Sequence, residues 1–473
     1  MNTTLSSIKK VSSAPSAIAV KAKPSVFECV SCGFESLKWQ GQCQSCGDWN
    51  TFVEVLRNKG PQIESFTPLI SAGAPKTFAA TKLDSLTKPT QVIPSGISEF
   101  DRVLGGGFTK GSVTLLAGEP GVGKSTLTLQ VLSGVSQHLH SLIISAEESP
   151  EQVMRRSERL GVSLEHSQIA CEANIATIES YALEQMPDFL VIDSIQTVMD
   201  TTQSSLMGSP NQVKACTSRL IKLAKENGIT TLLIGHVTKD GTLAGPRVLE
   251  HLVDTVVTFE GDRRNSLRTL ASGKHRFGPS DELGIFEMTQ KGLVGVADPS
   301  GMLMEDRCND SSGSIVIPVM DHKRPLLIEL QALAVKTFLP TPKRTVQGID
   351  TSRLLLVLAV LEKRGGYRFF DQDIFASVVG GYKVMEPAID LALGVALISS
   401  LTNSRISNDL VVAGEIGLGG EIRQVQGIEA RLKEACRMGF KKAVIPTASK
   451  FDPQEIEVIK VSNLDKAIEA VFA

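Results

Sequence analysis

The chain has 473 residues, of which 42% are hydrophobic and 21% charged, with a formal net charge of −2. That length is too great for one ordinary domain and predicts two or three. Near-neutral charge argues neither for nor against a nucleic-acid partner, so any basic surface has to be local. No stretch approaches the roughly 18 apolar residues needed to span a bilayer, and residues 1–26 lack the compact apolar core of a signal peptide. No membrane association and a cytoplasmic location are expected. The eight cysteines agree: four sit within 18 residues, and Cys171, Cys216, Cys308 and Cys436 are scattered singly. One metal site plus reduced thiols fits that pattern better than a disulfide framework.

In chain order, residues 1–26 are rich in Ser, Ala and Lys and predict a disordered N-terminus. Residues 27–55 hold Cys29-x-x-Cys32 and Cys43-x-x-Cys46, separated by ten residues. Two such pairs suit a tetrahedral Zn²⁺ with all four places filled by thiolates, which makes the metal structural. Each pair is followed by a glycine, Gly33 or Gly47, which permits the tight turn beneath the metal. Trp39 and Trp49, the only two tryptophans, are expected to pack the small core rather than to stack on a base. Residues 56–90 read as a linker.

Residues 91–290 alternate short apolar runs with amphipathic segments. Strands are predicted at 112–117, 141–145, 189–192 and 230–234, with helices over 124–136 and 211–227. A further helix starts at 149–152, with Ser149 as N-cap, Pro150 and Gln152 following. The alternation implies a mainly parallel sheet covered on both faces. Gly118, Glu119, Pro120, Gly121, Val122, Gly123, Lys124 and Ser125 fit GxxxxGK[ST] between a strand and a helix. In such a loop, backbone N–H groups curl around phosphates at the positive end of the helix. Lys124 is expected to reach the β- and γ-phosphates of ATP and Ser125 to ligate Mg²⁺, with Thr126 completing the nucleotide set. Asp193 ends an apolar strand, where it can hold the Mg²⁺. Glu147, just past the strand at 141–145, is the candidate to polarise the attacking water, and its neighbour Glu148 competes for the role. His236 ends another strand and is a candidate sensor of the γ-phosphate.

Residues 291–345 read as a connecting segment, and 346–473 as a second α/β unit. With the zinc pairs, the P-loop, residues 144–149 and 235–245 in view, the chain from Phe27 onward resembles the bacterial RadA (Sms) DNA repair proteins. Lys274-His275-Arg276-Phe277-Gly278 resembles that family's KNRFG signature with His for Asn, and residues 244–251 match it closely too. The resemblance implies an α/β fold: a RecA-like P-loop ATPase core, an N-terminal four-Cys zinc module and a C-terminal Lon-protease-like α/β domain. It also implies a DNA-dependent ATPase of recombinational repair that forms rings, six subunits by expectation. Such rings drive branch migration of recombination intermediates alongside the recombinase RecA. Lys274 and Arg276 are then candidates to approach a neighbouring subunit's nucleotide as cationic fingers, or to contact DNA phosphates.

By the same resemblance, Glu386-Pro387-Ala388-Ile389-Asp390 falls where Lon has its Ser nucleophile and holds no Ser, and Gly427-Ile428-Glu429 falls where Lon has its Lys, with Glu429 in its place. A Ser–Lys mechanism needs a hydroxyl and an amine, so no peptidase activity is expected. Arg431, Lys441 and Lys442 are candidate phosphate contacts, weighed against an ordinary solvated charge face. Residues 205–214 and 239–247 are candidate DNA loops, with Lys214, Lys239 and Arg247 as phosphate contacts. The helix at 211–227 also carries Arg219, Lys222 and Lys225, some of which must be its solvated face. Binding to single-stranded or branched DNA is expected to be independent of sequence and strongly salt-dependent. The alternative reading is a RecA-like signalling ATPase, similar to the circadian KaiC proteins, that acts through protein contacts. A Lon-like protease and a hexameric replicative helicase are weaker alternatives.

Overall fold

The structure, a computed structural model, describes residues 25–30, 34–45, 47–56, 91–236, 249–261, 266–307, 311–338, 341–450 and 454–472. Of the N-terminus expected to be disordered (1–26) and the expected linker (56–90), residues 1–24 and 57–90 lie outside the described residues, as do Lys239, Arg247, Cys32 and Cys46, while Ser25, Val26 and Leu56 belong to strands. Among the described residues no helix is long and apolar enough to cross a membrane.

The N-terminal unit is a three-stranded antiparallel sheet of β1 (Ser25–Cys29), β2 (Glu35–Ser36) and β3 (Phe52–Leu56), in the order β2-β1-β3. Its small core is Cys29, Cys43 and Phe52, with Phe27 against it.

The central unit opens with a short hairpin, β4 (Val92–Ile93) and β5 (Phe108–Thr109), around helix α1 (Ser98–Val103). Its sheet has nine strands: β6 (Val113–Gly118), β7 (Ser141–Ser145), β8 (Ser167–Cys171), β9 (Phe189–Asp193), β10 (Thr230–His236), β11 (Thr255–Glu260), β12 (Leu267–His275), β13 (Leu283–Thr289) and β14 (Gly292–Gly295). The order is β14-β13-β12-β11-β6-β10-β9-β7-β8. The run from β8 to β11 is parallel, as the strand–helix alternation predicts, and β12 to β14 extend it antiparallel. Strand side chains alternate between faces, and the core divides accordingly. Leu116, Ile143 and Val191 pack with Leu127, Val131 and Val135 of α2 (Lys124–Ser136) and Val153 of α3 (Pro150–Leu160). Leu115, Ala117, Ile144 and Leu190 pack on the other face with Ile178 of α4 (Ile175–Gln185) and Val213 and Leu220 of α5 (Pro210–Asn227). The capping box at Ser149 is present: its hydroxyl accepts from the Gln152 amide and the Gln152 side chain bonds back.

The segment 291–345 is not a mere connection. β14 is the edge of the central sheet, and two long strands after it, β15 (Ser314–Asp321) and β16 (Arg324–Lys336), lie inside a second, seven-stranded sheet. That sheet runs β17-β18-β16-β15-β19-β22-β23, where β17 is Arg344–Gln347, β18 Gln372–Val378, β19 Leu410–Val412, β22 Lys442–Pro446 and β23 Glu457–Val461; the small hairpin β20 (Glu415–Ile416) and β21 (Ile422–Arg423) stands apart. The C-terminal unit therefore begins well before residue 346. The apolar runs at 314–319 and 326–330 are buried strands whose partner lies in the following hairpin arm, and Ile315, Ile317, Leu326 and Ile328 join its core.

The tip of the β15–β16 hairpin meets the central unit through charge. Arg324 pairs with Glu99 of α1, and the two side chains are 10% and 3% exposed. Glu99 also accepts from the Ile285 amide at 3.0 Å and from Arg102 at 3.3 Å, while the guanidinium reaches the carbonyls of Leu283 and Val296. Breaking a buried pair strands the remaining charge at a cost of about 3–5 kcal/mol. Arg324→Ala is therefore expected to lower the unfolding free energy of the full chain by that order, read as a fall in the urea midpoint, and Arg324→Lys by less. A midpoint unchanged by Arg324→Ala would show that this contact does not hold the two units.

Candidate nucleotide site and cationic edge

Strand β6 delivers the glycine-rich loop, and the loop's geometry explains its glycines. A Cβ on Gly118 would lie 2.4 Å from the Phe259 carbonyl of the neighbouring β11, and Gly123 has φ +116°. Gly123 is also the N-cap of α2 and provides no side-chain cap, so the first-turn N–H groups of that helix face the loop. That arrangement presents donors to an anion. The Lys124 amine is buried and donates to the carbonyls of Gly118 at 2.8 Å and Glu119 at 3.0 Å. Burial lowers its pKa, and the carboxylates of Asp193 and Glu147 oppose the shift.

The carboxyl ends of β6, β9 and β10 lie side by side, with His236 level with Gly118. Ser125 Oγ donates to Asp193 Oδ2 at 3.0 Å. Burial raises the Asp193 pKa, the Ser125 hydrogen bond lowers it, and the charges of Glu147 and Glu148 add to the rise. A hydroxyl and a carboxylate in contact, with a second carboxylate close by, suit a hard divalent cation such as Mg²⁺.

The structure separates the two adjacent glutamates. Glu147 accepts a hydrogen bond from Ser194 Oγ and lies 3.2 Å from His236 Nε2, so it joins Asp193 and His236. Glu148 is paired with Arg156 of α3, and its backbone amide donates to Ser145 Oγ. Sequence reasoning missed Ser194 and Arg156. Ser194 directly follows the strand-ending Asp193, and Arg156 stands two helical turns into α3, so both signals were local. Thr126 takes the third position of α2, half-buried.

Lys274 and Arg276 lie at the opposite end of the sheet, where the parallel strands begin. Thr255 is in register with Thr114 near the start of β6 and with His275. At about 3.3 Å per residue, some 15 Å of strand separates them from the P-loop, beyond the reach of one arginine side chain. The Lys274 amine donates to the carbonyls of Glu250 at 2.5 Å and Val253 at 2.9 Å. Arg276 pairs with Asp254 at 3.1 Å and is about half exposed.

His275 bridges Thr255 Oγ1 at 2.9 Å and the Leu104 carbonyl at 3.1 Å. Nε2 must donate to that carbonyl, so Nδ1 of the neutral ring accepts from the hydroxyl. Burial lowers the His275 pKa and the Leu104 bond opposes it. With a folded pKa below the unfolded value near 6.5, the unfolded state binds the proton first. This residue's contribution to stability is therefore present above that value and lost as pH falls below it. His275→Asn is expected to flatten that part of the stability-versus-pH curve, read from urea midpoints between pH 5 and pH 7; an unaltered curve would remove His275 as its origin.

Several other expectations need correction. Arg431 is buried, donates to the Pro318 and Gln426 carbonyls, and pairs with Glu386, so it is no surface phosphate contact. Glu386, the first residue of the segment that matches the Lon nucleophile region, also accepts from the Met320 amide at 2.8 Å. Glu429 pairs with Lys433 at 2.7 Å. Lys441 and Lys442 are exposed. On α5, Arg219 is tied to Glu179 and Asp200, and Lys225 to Asp254, whereas Lys214 is exposed. The tryptophans do not fill the core of the N-terminal unit. Trp39 is 56% and Trp49 68% exposed, flanking Gly41. What fills that core are two thiols and Phe52, with Phe27 packed against them. Cys29 and Cys43 are buried together, and Gly47 closes a turn back onto Cys43 with φ +80°. Soft sulfur donors on such a knuckle suit Zn²⁺.

Comparison with known proteins follows the three units. Residues 27–54 match the family described as rubredoxin metal binding domain, residues 93–182 the KaiC ATPase family, and residues 353–449 subunit ChlI of Mg-chelatase. The chain is 43% identical to the DNA repair protein RadA of Bacillus subtilis over 94% of this chain and 98% of that one, and equally so to that of Pseudomonas aeruginosa. It is 40% identical to the Aquifex aeolicus RadA over 94% of this chain and 98% of that one. This chain belongs to the DNA repair protein RadA family. It combines a zinc ribbon, a KaiC-like RecA-type ATPase domain and a ChlI/Lon-like C-terminal domain.

Proposed function

We propose that this RadA-family protein is a DNA-dependent ATPase that drives branch migration of recombination intermediates. The observation that carries the reading is the meeting of Glu147 and His236, 3.2 Å apart, beside the Ser125–Asp193 pair at the mouth of the P-loop. The amides of Gly118 to Gly123, with Glu119, Pro120, Val122 and Thr126 alongside, cradle the phosphates of the ATP substrate. Lys124 turns from the loop carbonyls to the β- and γ-phosphates. Ser125 and Asp193 hold Mg²⁺, which when bound neutralises charge on the β- and γ-phosphate oxygens. Glu147 takes the proton of the attacking water. His236, which ends β10 and leads toward residues 239–247, responds to the loss of the γ-phosphate.

Lys274 and Arg276, too far from their own P-loop, serve the nucleotide of a neighbouring subunit in a homo-oligomer, with six subunits the expected number. The four thiolates of Cys29, Cys32, Cys43 and Cys46 hold a structural Zn²⁺. Lys214, Lys239 and Arg247 contact DNA phosphates without reading sequence. RecA is the recombinase that prepares the substrate, and the cytoplasm the compartment. Residues 386–390 and 427–429, which match the Ser and Lys positions of Lon, hold neither residue, so the C-terminal domain acts as a scaffold and not as a peptidase.

The test is strand displacement from a three-strand junction by the full-length protein. ATP-dependent displacement, absent in Lys124→Ala, is expected; an intact junction alongside brisk hydrolysis would overturn the branch-migration reading. The KaiC match over residues 93–182 favours one rival, a signalling ATPase, whose hydrolysis would be indifferent to DNA.

A further inference from the structure

The cations at this end of the sheet are not held independently. Asp254 is 2% exposed and sits at their centre. Its Oδ2 accepts from the Val113 amide at 3.1 Å, and Val113 accepts the Asp254 amide in return at 3.0 Å. Its Oδ1 receives both Arg276 at 3.1 Å and Lys225 at 3.0 Å. The Arg276 backbone amide donates to the Asp254 carbonyl at 3.2 Å. Lys225 lies in the last turn of α5, outside the KHRFG segment, and is 48% exposed, as is Arg276. Lys274 neighbours both cations, and Asp254 and Glu250 are the carboxylates that oppose it. One buried carboxylate thus fixes two half-exposed cations, with a third beside them.

We infer that Lys225 and Arg276 form a two-cation clamp for the triphosphate bound by a second copy of this chain, with Asp254 as the positioning residue. The inference rests on the ATPase reading of the P-loop, and adds Lys225 and Asp254 to it. Two charges held on one buried anchor are preorganised for a compact anion at a fixed place. A phosphate backbone that slides past needs no such anchoring and is served by solvated lysines. The anchor also joins the two ends of one strand. Val113 begins β6 and Gly118 ends it, so the clamp and the P-loop of one subunit share a rigid element. With Oδ2 of Asp254 taken by the Val113 amide, both cations share Oδ1 and are held at one point.

The experiment uses the full-length chain and reads basal ATP hydrolysis without DNA. Asp254→Asn is near-isosteric and retains an oxygen for Val113. It is expected to lower kcat about 100-fold, the cost of misplacing a group by about 1 Å, with KM for ATP unchanged. Lys225→Gln is expected to lower kcat about tenfold, and Lys225→Arg to recover most of it. Lys225 is half exposed, so its variants keep the test open should Asp254→Asn not fold. The decisive arm mixes Lys124→Ala with Lys225→Gln/Arg276→Gln subunits. One has an intact clamp and the other an intact pocket, so a clamp acting between subunits restores about a quarter of wild-type hydrolysis, the share of head-to-tail interfaces with both. No recovery, or kcat unmoved in Asp254→Asn and Lys225→Gln, overturns the proposal. So does an unchanged basal kcat with weakened, less salt-dependent DNA binding, which would assign the cluster to DNA phosphates. Recovery in the mixture together with hydrolysis indifferent to DNA would sustain the clamp while removing the motor reading.

Discussion

Lys124→Ala is expected to lower ATP hydrolysis about 10²–10³-fold or more, the range for losing one preorganised donor to transition-state charge. The amine is buried at the base of the loop, within hydrogen-bond reach of two loop carbonyls. Burial already disfavours its charge, which Asp193 and Glu147 help to maintain. A cation kept in such a place interacts with phosphate charge far more strongly than it would in water. Truncation leaves the Gly118 and Glu119 carbonyls to the open loop, so the fold is expected to survive, with a urea midpoint close to that of wild type. Hydrolysis within a few-fold of wild type would show that this loop is not the phosphate cradle.

Glu147→Gln is expected to have a comparable effect, a fall in kcat of about 10²–10⁴-fold, the contribution of a positioned general base. ATP binding should stay within a few-fold, because glutamine keeps the hydrogen-bonding partners Ser194 and His236. Glu148→Gln provides the contrast. Its carboxylate is engaged by Arg156 and it borders the site from the α3 side, so its loss should act mainly on KM. The kcat and KM of both variants, measured side by side, check the assignment; a larger kcat loss in Glu148→Gln would reverse the two roles.

How much of this was legible in the sequence depends on how far apart the partners are. The P-loop is one contiguous string whose glycines and lysine answer local demands, and the strand-ending positions of Asp193 and His236 follow from apolar runs. The three-unit fold was likewise legible, because strand–helix alternation and paired CxxC motifs are short-range signals. Long-range pairings were not. Arg431 looks like a surface cation on an amphipathic helix until Glu386, 45 residues away, is folded onto it. β15 and β16 read as connection because their sheet partners, β18 and β19, come much later in the chain. Asp254 drew no notice in an ordinary apolar run, and the three groups it gathers come from strand β6, helix α5 and the KHRFG segment. The exposed tryptophans show the converse: a small core built from thiols and Phe52, with Phe27 against it, leaves no place for an indole.

The most direct test of the account is ATP hydrolysis by the full-length protein at low salt, with and without single-stranded DNA. The account predicts stimulation by DNA that is absent in Lys124→Ala and fades as salt is raised, because phosphate contacts weaken with ionic strength. Hydrolysis that is lost in Lys124→Ala yet unchanged by DNA at low salt would contradict it.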